Sequence, residues 1–363
     1  MGSAEQASWT FRLPAARQVR ARPPVVASGK VFAVFSFQRR DFFESLLICF
    51  DISTGAELWR VSVDHVLSEP VIGPAETILV SSFGGDVLAF DHSGRELWRG
   101  PDADQNLWRP TVLSADRIAV SEIAGGARHT WCLDSRTGRE VWKFDSGGHT
   151  REVRSADDRL VQITTGSGRE GGDSHGRLIA LWSRDGRLAW SVPCAHYPLA
   201  LTRLGDRVVV GARGALLIFN LVTGRALAGM RVPDSVELTS VEALDNQSVV
   251  VADTANTLRR IAVHDRRGLL GTKVRLEECW TCPLSAEVIG RPLVTVSHVV
   301  ALDGSGRVWF LTADNGSHAH DLRMPFEKTA DSGGIAIEDG RLVSALGRTL
   351  AVFDVSAWVH SAA

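Results

Sequence analysis

Three stretches of the chain hold residue types and spacings that catalysis or ligand binding can use. "GSGREGG", residues 166 to 172, matches Gly-x-Gly-x-x-Gly, the loop that lets a backbone approach a pyrophosphate when a helix follows it. The residues that follow, "DSHGRLIALW", read as a strand, so a long hairpin loop is the better reading. "CWTC", residues 279 to 282, has the Cys-x-x-Cys spacing of redox and zinc sites. On a strand, Cys279 and Cys282 face opposite sides, beyond disulfide reach. No second such pair exists to complete a zinc site, so structural packing is expected. "HAH", His318 to His320, places two imidazoles on one strand face as a metal pair would be, but the sequence nominates no third ligand, and a solvated last strand is the better reading. There is no Gly-x-Ser-x-Gly elbow, HExxH or Walker-type loop, which weakens the common hydrolase and nucleotide-cleaving readings. No metal and no cofactor is expected.

Such residues act only where the fold gathers them, and the fold is written in repetition. Residues 49 to 60 read "CFDISTGAELWR", 88 to 99 read "LAFDHSGRELWR" and 132 to 143 read "CLDSRTGREVWK". Weaker copies are "IALWSRDGRLAWS" at 179 to 191 and "LIFNLVTGRALAG" at 217 to 229, with degenerate ones at 309 to 321 and 350 to 358. The anchoring tryptophans Trp59, Trp98, Trp142 and Trp190 are separated by 39, 44 and 48 residues, the period of four-stranded propeller blades. Each unit also carries an earlier β-branched run, such as Val31–Val34, Ile78–Val80 or Val249–Val251, which reads as a buried strand. Sustained 3.6-residue periodicity is almost absent, so little helix is expected.

Eight blades are expected, at about 21–63, 67–99, 107–145, 150–192, 196–232, 236–282, 286–323 and 326–358, in one all-β domain spanning 1–363. The last blade lacks a fourth strand. "ASWTFRL", residues 7 to 13, carries Trp9 in the position of Trp59 and Trp98, and is expected to complete that blade and close the ring. The turn of the repeated phrase joins the third and fourth strands, with Gly55, Gly94, Gly138 and Gly224 supplying backbone freedom. The tryptophan after it lies across the gap between blades, burying roughly 150–250 Å².

In such a ring the loops that enter the innermost strands surround the mouth of the central channel. Aligning those strands brings Arg22, Glu69, Trp108, Arg109, Arg151 and Glu152 toward one rim, and with them His196, Tyr197, Glu237, Glu287, Arg291 and Asp331. Mixed charges and aromatics converging on a pocket suit a polar small molecule. They equally suit salt bridges between blades. If the rim is catalytic, His196, Tyr197, Glu69 and Glu287 are the acid–base candidates.

The turn phrases resemble the PQQ-like propeller repeat, whose signature is roughly Asp-x-x-Thr-Gly-x-x-x-Trp. Asp51 to Trp59 matches it in full and Asp134 to Trp142 closely, while Asp91 to Trp98 is one residue shorter. The resemblance implies an eight-bladed propeller, and the family includes quinoprotein dehydrogenases and the lipoprotein scaffold of outer-membrane barrel assembly. The dehydrogenase branch implies an adjacent-cysteine pair and a calcium site, and neither is found here; the scaffold branch implies a signal and a lipidated cysteine, also not found. Fold follows from such a match, and function does not.

Bulk properties narrow the partners. The 363 residues carry a net charge of −2, which gives no reason to expect nucleic acid or an anionic membrane surface. No run approaches the roughly 18 apolar residues of a membrane span, and the N-terminal stretch has no apolar core of a secretion signal. Five sparse cysteines, Cys49, Cys132, Cys194, Cys279 and Cys282, do not form a disulfide framework, so a reducing, cytoplasmic location is expected. Of the 40 basic residues 36 are arginine, a composition that fits a GC-rich bacterial genome. The preferred reading is a non-catalytic scaffold that presents the channel-mouth rim to a protein partner. The alternative is an enzyme or small-molecule binder using a pocket at that mouth.

Overall fold

The computed structural model describes residues 6–14, 17–103, 105–123, 128–166, 176–268, 271–325 and 332–359. Its strands form eight antiparallel sheets arranged as a ring, with almost no helix. Seven sheets have four strands; the blade of residues 17–63 has a fifth, because both Arg17–Ala21 and Val25–Ala27 pair with Lys30–Arg39. In each blade the first strand lines the channel and the last faces outward. Closure is as expected: Trp9–Arg12 pairs antiparallel with Thr349–Asp354, Trp9 opposite Val352. The N-terminal strand thus covers the outer edge of the eighth blade and removes an unpaired edge.

The turn phrase works by local capping. Asp51 Oδ1 accepts hydrogen bonds from the backbone N–H of Ser53 and Thr54 and from the Thr54 hydroxyl, at 3.0, 2.8 and 2.8 Å. Asp134 repeats this with Arg136 and Thr137, and in the eroded fifth copy Asn220 does so with Val222 and Thr223. The side chain thereby supplies the acceptor that a tight turn needs. Hydrogen bonds from Thr54 hold the exposed Asp51 carboxyl below its ordinary value.

The tryptophans then join neighbouring blades. Each indole lies on the turn of the next blade and donates its N–H to a carbonyl there: Trp9 to Ile52, Trp59 to His92, Trp98 to Ser135, Trp142 to Ser183, Trp190 to Leu221 and Trp280 to Ala313, all at 2.8–3.0 Å. Gly55 sits under Trp9 at φ +72°, and a β-carbon there would lie 2.6 Å from the ring, so both the backbone angle and the close approach demand glycine. Two seams use other means. In the fifth blade Ala228 stands where the tryptophan would be, opposite Ile218. There the long hairpin of the sixth blade, Thr257–Gly268 with Gly271–Pro283, brings Val274 and Leu276 into the same cluster as Leu227 and Met230. In the seventh blade His320 occupies the position and stacks on Trp358 at 4.5 Å.

The hydrophobic core is divided accordingly. Among the described residues it forms eight clusters, and each straddles one seam: Phe35 and Phe50 with Val343 and Val352, for instance, or Phe32 and Leu47 with Val80 and Leu88. A blade buries its two faces against its neighbours and has no core of its own, so a ring escapes the size limit of a single core.

Three motifs find their places in this frame. Residues 167–175 of the glycine-rich stretch lie outside the described residues, but the strand Gly176–Trp182 follows and pairs with Arg159–Thr165, where a dinucleotide loop would lead into a helix. CWTC flanks Trp280, the sixth blade's seam tryptophan, and all five cysteines are free thiols. His318 and His320 meet different partners: His318 lies by Trp309 and Asp321, and His320 on Trp358. No group of three metal-ligating side chains gathers among the described residues.

Candidate functional site

The innermost strands enclose a cavity of about 670 Å³ at the mouth of the channel. Two local devices point side chains into it. On the innermost strands of blades four, five and six the ladder slips by one residue, between Thr150 and Glu152, Pro198 and Ala200, and Leu238 and Ser240. The extra residues, Arg151, Leu199 and Thr239, all line the cavity, as β-bulges re-aim side chains. Elsewhere the channel residue precedes a proline, as in Glu69-Pro70, Arg109-Pro110 and Arg291-Pro292. A residue before proline is confined to extended backbone, and proline itself has no N–H to leave unpaired at the channel.

These side chains form one ion-pair lattice across the ring. Glu69 of blade two meets Arg109 of blade three at 2.5 Å. Glu152 of blade four, only 7% exposed, receives Arg291 of blade seven at 2.6 Å, Arg154 at 3.2 Å and Arg109 at 3.6 Å. Glu242 of blade six takes Arg154 at 2.9 Å and Arg291 at 3.5 Å. Arg22 of blade one donates through Nε to the Leu67 carbonyl at 3.0 Å. Burial opposes ionisation of Glu69, yet Arg109, Arg291 and Arg22 together hold its carboxyl below the ordinary value. Burial likewise works against the Arg291 cation, and Glu152, Glu69 and Glu242 more than offset it. Arg22 is shifted down chiefly by burial, and Arg154 by burial with the repulsion of Arg291.

A second cluster sits beside the cavity. Arg151 hydrogen-bonds the Tyr197 hydroxyl, and the Tyr197 ring is flanked by Arg151 and Arg213 at 5.4 and 5.6 Å. Arg213 pairs with Glu237, and its carbonyl lies 3.1 Å from His196 Nδ1.

The rim residues therefore divide. Glu69, Trp108, Arg109, Arg151, Glu152 and Arg291 line the cavity together, with Arg22 beside it next to the lining Pro23. His196, Tyr197 and Glu237 form the flanking cluster and are absent from the lining, and Glu287 is solvent-exposed away from it. Asp331 lies outside the described residues. Of the four acid–base candidates only Glu69 faces the cavity, already paired with Arg109. Sequence reasoning passed over Arg154 and Glu242, which lie on the innermost strands themselves and not on the loops before them. Their signal was available: Arg154 stands two residues past Glu152, hence on the same face of the strand.

Residues 5–109 and 84–263 match the family model described as outer membrane protein assembly factor BamB, the PQQ_2 family. The chain belongs to this family of PQQ-like propellers. The protein of that name from Nitrosomonas eutropha is 27% identical over 220 residues, covering 57% of this chain and 51% of that protein. The chain thus spans about half the length of a curated relative that it matches. BamB from Moraxella catarrhalis superposes with a TM-score of 0.64 at 15% identity, over 96% of this chain and 99% of that one. The computationally designed protein Ika8 does so with a TM-score of 0.72 at 16% identity, over 97% and 100%. At such identities the structural likeness speaks for the fold alone.

Proposed function

We propose that this PQQ-like propeller is a non-catalytic scaffold that presents its channel-mouth rim to a protein partner. The observation that carries this reading is the ion-pair lattice. The cavity's carboxylates Glu69 and Glu152 are each engaged by arginine, and the arginines around Glu69 hold its carboxyl below the ordinary value, which makes Glu69 a poor proton acceptor. Relatives named as assembly factors support the scaffold reading from a second side. The exposed rim groups Arg151 and Arg213 are then the contacts offered to the partner, because charge at a rim steers encounter and fixes register. The test is retention of a polypeptide partner on the tagged chain purified from its host, compared with Arg151→Glu and Arg213→Glu. Retention unaffected by both reversals would remove this rim as the docking surface.

We place the protein in the cytoplasm and assign it no cofactor. Five free thiols, three of them buried, support a reducing compartment. Fractionation of cells carrying the tagged chain tests the location: recovery beyond the cytoplasmic membrane would overturn it and leave the scaffold reading standing.

A further inference from the structure

We infer that the channel-mouth cavity is a binding site for a small organic anion, with the acidic head held by Arg151, Arg109 and Arg291 and an apolar body against the aliphatic lining. This goes beyond the scaffold reading and does not depend on it. Three observations carry it. The first is charge. Among the described residues, the charged groups that line or back the cavity are Arg22, Arg109, Arg151, Arg154 and Arg291 against Glu69, Glu152 and Glu242, a surplus of two positive charges. The carboxylates are engaged by the lattice, whereas Arg151 is exposed and donates to the neutral Tyr197 hydroxyl. Donors are also in surplus: among the described residues Arg109 Nε and the Trp108 indole N–H have no hydrogen-bond partner. A cation-rich concavity with low-dielectric walls focuses its field on an entering anion.

The second observation is the apolar part of the lining. Pro24, Val25, Ile72, Leu293, Ile335 and Ile337 line the same cavity, so the pocket offers both charged and aliphatic surface. An inorganic ion would use only the first. A molecule with an anionic head and a flat or branched hydrocarbon body uses both. The third is size: about 670 Å³ lies in the range of small-molecule sites, which typically run about 300–1,000 Å³ and combine apolar lining with a few convergent polar groups.

The probes are 2-naphthoate and its neutral isostere 2-naphthamide, titrated calorimetrically into the purified chain at low salt without any partner. Naphthoate is expected to bind, and naphthamide to bind at least roughly tenfold more weakly, since it lacks the charge that the site reads. Raising the salt is expected to weaken naphthoate and leave naphthamide unchanged. Arg151→Ala, a change at an exposed side chain outside the lattice, is expected to weaken naphthoate roughly three- to tenfold with an unaltered melting temperature. Thr239→Trp, which fills the pocket from a bulge position, is expected to abolish binding. Equal affinity for acid and amide would overturn the inference with no variant needed. So would the absence of heat at millimolar naphthoate, or full binding to a folded Thr239→Trp protein. The scaffold reading is decided by polypeptide retention, so the two fail separately.

Discussion

Gly138 holds φ at +68°, and a β-carbon there would lie 2.4 Å from Trp98 Cε3. Gly29, at φ +70°, has open space around that position. The pair separates backbone strain from the seam contact. Gly29→Ala is expected to cost about 1–2 kcal/mol for the left-handed backbone alone. Gly138→Ala should cost clearly more, because the indole must also leave its bond to the Ser135 carbonyl. Denaturant unfolding of the two variants checks this, and equal losses would mean that the tryptophan stack adds nothing. In the channel, the lowered carboxyl of Glu69 makes a prediction with a sign. Its ion pair stabilises the fold fully above the ordinary glutamate range and is lost as pH falls through the lowered folded value. Glu69→Gln is therefore expected to cost about 1–3 kcal/mol near neutrality. The difference from wild type should shrink as pH drops below about 4. A difference that stayed constant across that window would show that ionisation of Glu69 contributes nothing.

The strand Trp9–Arg12 is the element whose role is most exposed to test. It supplies the fourth strand of the last blade, and its indole caps the turn of the first. Removing residues up to 13 opens an edge and empties the space over Gly55; a tryptophan truncation alone costs about 3–5 kcal/mol. The melting temperature is expected to fall by at least about 5 °C, and an unchanged melt would refute closure by this strand. This element could be read in advance because Trp9 resembles Trp59 and Trp98 and the last blade otherwise lacks a fourth strand. The fifth and seventh seams could not, because Ala228 and His320 break the phrase and their substitutes are remote in sequence: Val274 and Leu276 on a hairpin, and Trp358 near the C-terminus. Trp280 was hidden differently, since the two cysteines beside it drew attention to thiol chemistry when the indole was the functional part of the stretch.

Across the whole ring, the eight seams hold neighbours together and the lattice of Glu152, Arg154, Glu242 and Arg291 ties blades four, six and seven across the channel. The approach of loop residues to one mouth was legible from the alignment of innermost strands. Which of them share a cavity was not, because bulges at Arg151, Leu199 and Thr239 set the direction of each side chain, and period-two reasoning cannot see a one-residue slip. His196 and Tyr197 were grouped with the cavity for the same reason, and they stand beside it against Arg213. The consequence is a propeller whose central charges face each other while Arg151 and Arg213 remain exposed at the rim. The most direct measurement is affinity purification of the tagged chain from its own host, with wild type, Arg151→Glu and Arg213→Glu compared by quantitative mass spectrometry. The scaffold account predicts a stoichiometric polypeptide retained by wild type and reduced by the reversals. Wild-type protein that comes away with no polypeptide companion would contradict it.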